Sequence, residues 1–513
     1  MSNLTTLTLK PGKTESFTAS GAIAAGKPVI LNDAGTVTQV GETTHSEAVG
    51  SPTVATVAAA SNPNIVYDSV NDRVVAIWWR SSDKYGLARV GTVSGTSITW
   101  GTLTIWRTIA LDETPQIAFN ANTGQFVIAF TEVTGGSGTN HGWCVVGEVT
   151  GTNKNELTFG TPVKSYAGWA PKHRIAYDPD TYKMLLLQKQ AGTGAYACAV
   201  TLSGTGTGAT VEYGTFAQYT SSSNSDAHVG VYYDTSQNCF VIAWNENTGY
   251  ARTATISGTS VSYGTASTFY SGSAFGGIPA TFDSEANKGI IAWVDGNTGN
   301  KIGKLRVVTV ANNALSFGNV TTIYSTTSGN DIDTGENNLI LIYAGSGVTN
   351  QEVIVGFMRD GNDNYKRGKT TINGTAMETP VSIGNLYSDD VNSNNTKVCV
   401  NTTGKLIYVT KPSQTAGNMI DNYVYGIAEQ LGAVTTNITA SKLIGIADAA
   451  ISNGAAGEVS LKGGLATKGL SSLTPGSDYY AQGNGTISTT STAPAVKLGK
   501  ALSATAINLE YAS

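Results

Sequence analysis

Charge is scarce in this chain. Asp, Glu, Lys and Arg make up 13% of its 513 residues, 36 acidic against 31 basic, for a net charge of −5. No run of Lys or Arg occurs, so a nucleic-acid backbone would find no electrostatic footprint. No apolar run approaches the roughly 18 residues of a membrane-spanning helix, and membrane insertion is not expected. The opening MSNLTTLTLKPGK lacks the apolar stretch of a signal peptide. Cysteine is limited to Cys144, Cys198, Cys239 and Cys399, none with CxxC or CxxH spacing. They read as buried small hydrophobes made in a reducing compartment. The four histidines (His45, His141, His173, His228) stand singly and far apart. Zinc ligation therefore has no local pattern, and neither a metal nor a cofactor is expected.

Glycine is abundant at 60 residues, and aromatics at 8% are enough for a packed interior. The glycines sit in a repeated phrase. VGTVSGTSITWGTLT (90–104) returns as TATISGTSVSYGTAS (253–267), with VGEVTGTNKNELTFGTPV (146–163) and VTLSGTGTGATVEYGTFA (200–217) between them. An aromatic–Gly pair marks each copy, at Trp100-Gly101, Phe159-Gly160, Tyr213-Gly214, Tyr263-Gly264 and Phe317-Gly318. The glycines are separated by 59, 54, 50 and 54 residues (160−101, 214−160, 264−214, 318−264). Such a period suggests four-stranded blades of a propeller. The glycine itself is expected to mark a bulge or a close approach.

A second phrase precedes each marker. Its copies are IVYDSVNDRVVAIWW (65–79), IAFNANTGQFVIAF (117–130), IAYDPDTYKMLLLQ (175–188), VYYDTSQNCFVIAW (231–244) and ATFDSEANKGIIAW (280–293). Each reads as strand, polar turn, strand. Asp68, Asn120, Asp178, Asp234 and Asp283 open the turns, where a short carbonyl side chain caps the backbone ahead. They lack the alternating ligands of a calcium loop. Cys144 and Cys198 fall on corresponding strands of different repeats and are expected to stay apart.

Weaker copies follow. DIDTGENNLILIY (331–343) is expected to open a sixth unit that closes at Gly368, and TKVCVNTTGKLIYVT (396–410) a seventh whose third strand is DNYVYGIAE (421–429). The missing fourth strand of that last unit is found at the other chain end, in SEAVGSPTVATV (46–57). The expected fold is all-β: a seven-bladed propeller over 46–430, closed by an N-terminal strand. It is inserted in a small β module made from 1–45 and 431–513. In that module GKPVILNDAGTVT (26–38) and GSDYYAQGNGTIS (476–488) share a Gly pair nine residues apart and read as similar hairpins. A short helix is the alternative for the Ala-rich 445–452.

These repeats, with IGIADAAISNGAAGEVSLKGG and SDYYAQGNGTISTT near the end, resemble a family of bacteriophage virion proteins, commonly from marine phages and described as tail fibre or structural proteins. The resemblance spans nearly the whole chain. It implies assembly in the host cytoplasm into a virion, contacts with other virion proteins, and host attachment by a non-catalytic protein. The end module would dock on the virion, and the propeller loops would meet a host-surface glycan. The loops 80–86, 131–142, 245–250, 294–303 and 411–422 are rich in Asn, Asp, Glu, Gly and Thr. Asn140, His141, Asn245 and Asn297 are the expected hydrogen-bonding residues. Trp169 is expected to stack on a sugar face, the alternative being that it fills a seam between repeats. A homo-oligomer, such as the trimer usual in phage fibres, is expected, although no heptad repeat supports it. An alternative function is a capsid-decorating or purely structural virion protein. A sialidase-like glycan hydrolase is a further one. It would need positioned carboxylates and an arginine cluster, for which only Arg80, Arg107, Arg174 and Arg252 are candidates.

Overall fold

The structure is a computed structural model. It describes residues 14–56, 58–133, 140–190, 192–221, 229–246, 248–272, 274–275, 277–295, 301–323, 339–344, 352–359, 362–386, 393–412, 419–491 and 495–510. Nearly all regular structure in it is antiparallel strand. The chain forms two compact units, residues 47–431 and residues 1–46 with 432–513.

The 47–431 unit is a succession of antiparallel sheets. Sheet 1 runs through Ala60–Asp68, Arg73–Arg80, Gly86–Ser94 and Ser97–Trp100, and Thr104–Arg107 pairs with its third strand. Sheets 2 to 5 repeat this plan, with first strands at Gln116–Asn120, Arg174–Asp178, Val229–Asp234 and Ala280–Asp283. Sheet 6 begins at Leu339–Tyr343 and sheet 7 at Ser393–Val400. The third strand of sheet 7, Val424–Gln430, pairs with Ala48–Val49 and Thr53–Thr56 from near the N-terminus. The first strands pack side by side in chain order, and Ser393–Val400 also packs on Ala60–Asp68.

The second strands carry continuous apolar runs because both faces of each sheet are covered. Val74, Ala76 and Trp78 point one way, into a core with Ile407, Val409 and Val424 of sheet 7. Val75, Ile77 and Trp79 point the other way, into a core with Phe126, Ile128 and Phe130 of sheet 2. Similar cores lie between each following pair of sheets.

The turn residues behave as their chemistry requires. Asp68, Asn120, Asp178, Asp234 and Asp283 are at most 3% exposed. The Oδ1 of each accepts the backbone N–H groups two and three residues ahead, for example Val70 and Asn71 at 2.9 Å.

Three sequence expectations are corrected. The sixth unit opens within the expected 331–343, at Leu339–Tyr343, and residues 331–338 lie outside the described residues; its close is what differs. Gly368 is not its marker glycine. It lies inside the third strand opposite Ser382, and the outer hairpin is formed further on by Ile372–Asn373 and Ala376–Met377. The helix alternative at 445–452 gives way to the strand Leu443–Ala447, because Gly445 lies directly against the Ser460 carbonyl of the next strand. Cys144 and Cys198 do meet: adjacent sheets interdigitate, and both thiols enter the core between sheets 2 and 3 beside Tyr213. All four cysteines are buried and unbridged.

The second unit contains two five-stranded sheets. One comprises Thr14–Thr18, Pro28–Leu31, Val37–Gln39, Leu443–Ala447 and Ala456–Leu461. The other comprises Leu465–Ala466, Asp478–Gln482, Ile487–Ser488, Ala495–Ser503 and Ala506–Leu509. A separate two-stranded ladder joins Glu42–His45 to Ala433–Thr436.

Candidate functional site

One end of sheet 2 gathers most of the expected binding residues. His141 opens the third strand, opposite Glu132 on one side and Trp169 on the other. The register between the third strand and Val163–Trp169 shifts twice at this point. Such irregularities re-aim side chains at the end of an edge strand. Trp169 is left 41% exposed, so it does not fill a seam between sheets. Asn140 adjoins His141, and its amide donates to Asp112 Oδ2 at 2.5 Å.

The support beneath this surface is buried. Thr131 is fully buried and donates to the Ala170 carbonyl at 2.7 Å. His173 is 1% exposed. Its Nδ1 lies 3.4 Å from Thr131 Oγ1. Burial, and then the Arg174 guanidinium, push the His173 pKa down to about 3, so the ring is neutral. A side chain at Gly142 would crowd Ser165, Ala170 and His173.

Charges nearby are paired among themselves. Arg107 bonds to buried Glu132. Lys172 Nζ lies 3.1 Å from Glu113. Trp143 holds the Arg107 guanidinium 5.5 Å and the Lys164 ammonium 5.0 Å from its ring. The arrangement offers an exposed indole and amide and imidazole groups on a charge-compensated base. Those groups suit a neutral polyhydroxylated ring, which presents both an apolar face and hydroxyls. Trp143 and Asp112 were not singled out in the sequence. Trp143 was within reach of such a reading, since it lies two residues from His141 on the same strand face.

The other expected residues stand elsewhere. Asn245 ends the second strand of sheet 4, opposite Gly249. Beside it Trp244 Nε1 donates to Glu246 Oε1 at 2.6 Å. Asn297 lies outside the described residues. The four candidate arginines do not share one centre. Arg80 pairs with Asp83 and Arg107 with Glu132. Arg174 donates to the Val229 carbonyl of sheet 4 at 3.0 Å. Arg252 donates to the Gly264 and Tyr219 carbonyls. Arg306 repeats the Arg252 arrangement one sheet later, on Gly318 and Phe269. That repetition marks a framework role.

Between the first strands of sheets 3 to 7 lies a cavity of ≈ 180 Å³, lined by Ile175, Val231, Ile278 and Leu339 with Arg174 and Lys397. Both cations have partners of their own. Among the described residues no group of three or more His, Cys, Asp or Glu is placed to hold a metal ion. Among the described residues no helix is long and apolar enough to cross a membrane.

The sequence matches no protein family profile, and no curated protein matches it. Among solved structures, the chain is similar to the β-propeller domain of Myceliophteria thermophila Cps50 (Swd1). The identity is 6%, over 74% of this chain and 99% of that one, with a TM-score of 0.43.

Proposed function

We propose that the 47–431 unit is a closed seven-bladed propeller and that the protein is a bacteriophage virion surface protein of tail-fibre type, binding host-surface glycan through its loops. Ring closure is supported by the shared core of sheets 7 and 1 and by the pairing of Thr53–Thr56 with sheet 7. It is further supported by the 3.2 Å contact of the Tyr67 hydroxyl with Thr402. The virion assignment rests on the resemblance of the repeats and of the C-terminal phrases.

The observation that carries glycan binding is the exposed Trp169 beside His141 and Asn140, above a base whose charges are already paired. An indole gives a large rigid contact at small entropic cost, and hydrogen-bonding groups beside it select hydroxyl positions. Single-site contacts of this kind are weak. Many copies on one particle would raise apparent affinity about a hundredfold or more.

The test is adhesion of the full chain, displayed on beads, to bacterial cells and to an array of bacterial surface glycans. Trp169→Ala with His141→Ala should reduce adhesion at least tenfold without changing the melting curve. Adhesion that survives both substitutions overturns this site. Immunogold labelling of virions should mark the tail or its fibres; label spread over the capsid would replace the adhesin reading with the decorating one.

A further inference from the structure

The two sheets of the 1–46/432–513 unit have the same connectivity. Each set of strands can be numbered one to five along the chain. Both sheets then have the spatial order one–five–four–two–three. In the first sheet, strands three and four are Val37–Gln39 and Leu443–Ala447, with the whole 47–431 unit between them. In the second they are Ile487–Ser488 and Ala495–Ser503.

The correspondence extends to single hydrogen bonds. Asn32 N donates to Thr36 O at 2.8 Å, and Gly35 N to Asn32 O at 2.9 Å. At the matching positions Gln482 N donates to Thr486 O at 2.8 Å, and Gly485 N to Gln482 O at 2.9 Å. Gly26 N donates to Ala447 O and Gly476 N to Ala501 O, both at 2.8 Å. Ala447 N returns a bond to Lys27 O and Ala501 N to Ser477 O, both at 2.9 Å.

Strand four carries a matched glycine in each sheet. Gly445 is opposite Leu461, and a side chain there would strike the Ser460 carbonyl. Gly499 is opposite Leu509, and a side chain there would strike the Asn508 carbonyl. Each glycine also borders a bulge in its own strand: Ile444 is skipped between the partners of Val29 and Ile30, and Leu498 between those of Tyr479 and Tyr480. The cores match as well. Ile23, Val29, Val37, Ile444, Val459 and Leu461 occupy one. Leu473, Tyr479, Ile487, Leu498, Ile507 and Leu509 take the same places in the other.

We infer that this unit is a tandem duplication of one five-stranded module, and that residues 47–431 are an insertion between strands three and four of the first copy. Shared order, shared bulge and four shared hydrogen bonds among six matched positions are not demanded by hydrophobic patterning alone, which fixes only which face is buried. The Glu42–His45/Ala433–Thr436 ladder brings the chain back to where it left: His45 is paired with Ala433. An insertion whose ends are adjacent costs its host little, because loop closure is already satisfied. The duplicated module is thus the carrier, and the inserted sheets are its cargo.

The test uses the full chain with protease sites placed at 46/47 and 431/432. After cleavage, fragments 1–46 and 432–513 should co-elute on gel filtration as one folded body, apart from 47–431. Elution of 1–46 with 47–431 overturns the insertion. Calorimetry of uncleaved Gly445→Ala and Gly499→Ala variants separates duplication from insertion. Both should lower the same transition, by about 5 °C or more, and leave unmoved the transition lowered by Gly160→Ala. Effects of the two variants on different transitions overturn the equivalence of the copies.

Discussion

The backbone N–H of Gly50 donates to the carbonyl of Ala428 at 2.8 Å, across almost the whole length of the 47–431 unit. The same bond recurs within single sheets: Gly101 to Val90, Gly160 to Val146, Gly214 to Ala199, Gly264 to Thr253 and Gly318 to Val307. At each of these six glycines a Cβ would overlap a carbonyl oxygen in the outer turn of the next sheet: Thr96, Asn155, Ala209, Thr259, Asn313 and Thr375 in order. The repeated glycine is where one sheet lets its neighbour approach.

Substituting these glycines therefore loosens a seam. Gly50→Ala and Gly160→Ala should each destabilise the 47–431 unit by about 1–3 kcal/mol, the usual cost of forcing atoms into a filled contact. Gly208→Ala is the control, since a Cβ there meets nothing within 4 Å. Urea titrations of the three variants check this. A Gly50→Ala protein as stable as the control would remove the N-terminal segment from the seam.

Acid should weaken the fold through His173. Its folded pKa is about 3, against the usual 6.5. Between those values the unfolded chain takes a proton that the folded chain refuses, so stability falls as pH falls through this window. The slope from this residue is at most about 1.4 kcal/mol per pH unit, and none is expected above 6.5. Denaturation midpoints measured from pH 7 to pH 4 should drop less steeply in His173→Gln.

The thiols should be inert in the folded protein. Burial raises Cys144 and Cys239 to about 12 and drives Cys198 and Cys399 well above the usual thiol range. The nucleophile is the thiolate. Thiol reagent at pH 8 should label none of the four without denaturant and all four in guanidinium. Rapid labelling of the native protein would contradict the packing of these strands.

Between sheets 6 and 7 lies a buried ion pair, Arg367 with Glu429, their side chains 1% and 0% exposed. Tyr408 adds its hydroxyl to Glu429 Oε2 at 2.7 Å. Arg367→Met leaves a buried carboxylate uncompensated and should cost about 3–5 kcal/mol. Adding Glu429→Gln should restore part of that loss. Guanidinium midpoints of the single and double variants give the comparison; an additive double variant would show that the two groups do not interact.

The strands, the turn aspartates and the marker glycines of sheets 1 to 5 were legible because each is a local requirement. A continuous apolar run, a carbonyl side chain at a turn and a Gly beside an aromatic are each set by a short stretch of chain. The Trp100, Tyr213 and Tyr263 partners of those glycines take a further role that only the fold reveals. Their polar tips reach back to Thr53, Val163 and Ala217 on the preceding sheet, at 3.2, 2.8 and 2.8 Å. Sheet 6 was misread because its third strand carries Gly368 where the pattern led one to look for the outer marker.

The candidate site was legible only in part. Asn140 and His141 are neighbours in sequence, but Trp169 joins them through strand pairing, Arg107 ends the last strand of sheet 1, and Asp112 lies in the connection that follows. By itself, the sequence determined that the chain is β, that it repeats, and roughly where each repeat turns, since these follow from side-chain period and backbone preference. Only tertiary structure decided which strands share a seam, that Cys144 and Cys198 meet, and that the two chain ends form matched sheets. Those outcomes depend on how separate sheets interlock, and copies such as KLIGIA and VKLGKA keep the backbone hydrogen bonds of their module while changing most of the side chains that a sequence comparison reads.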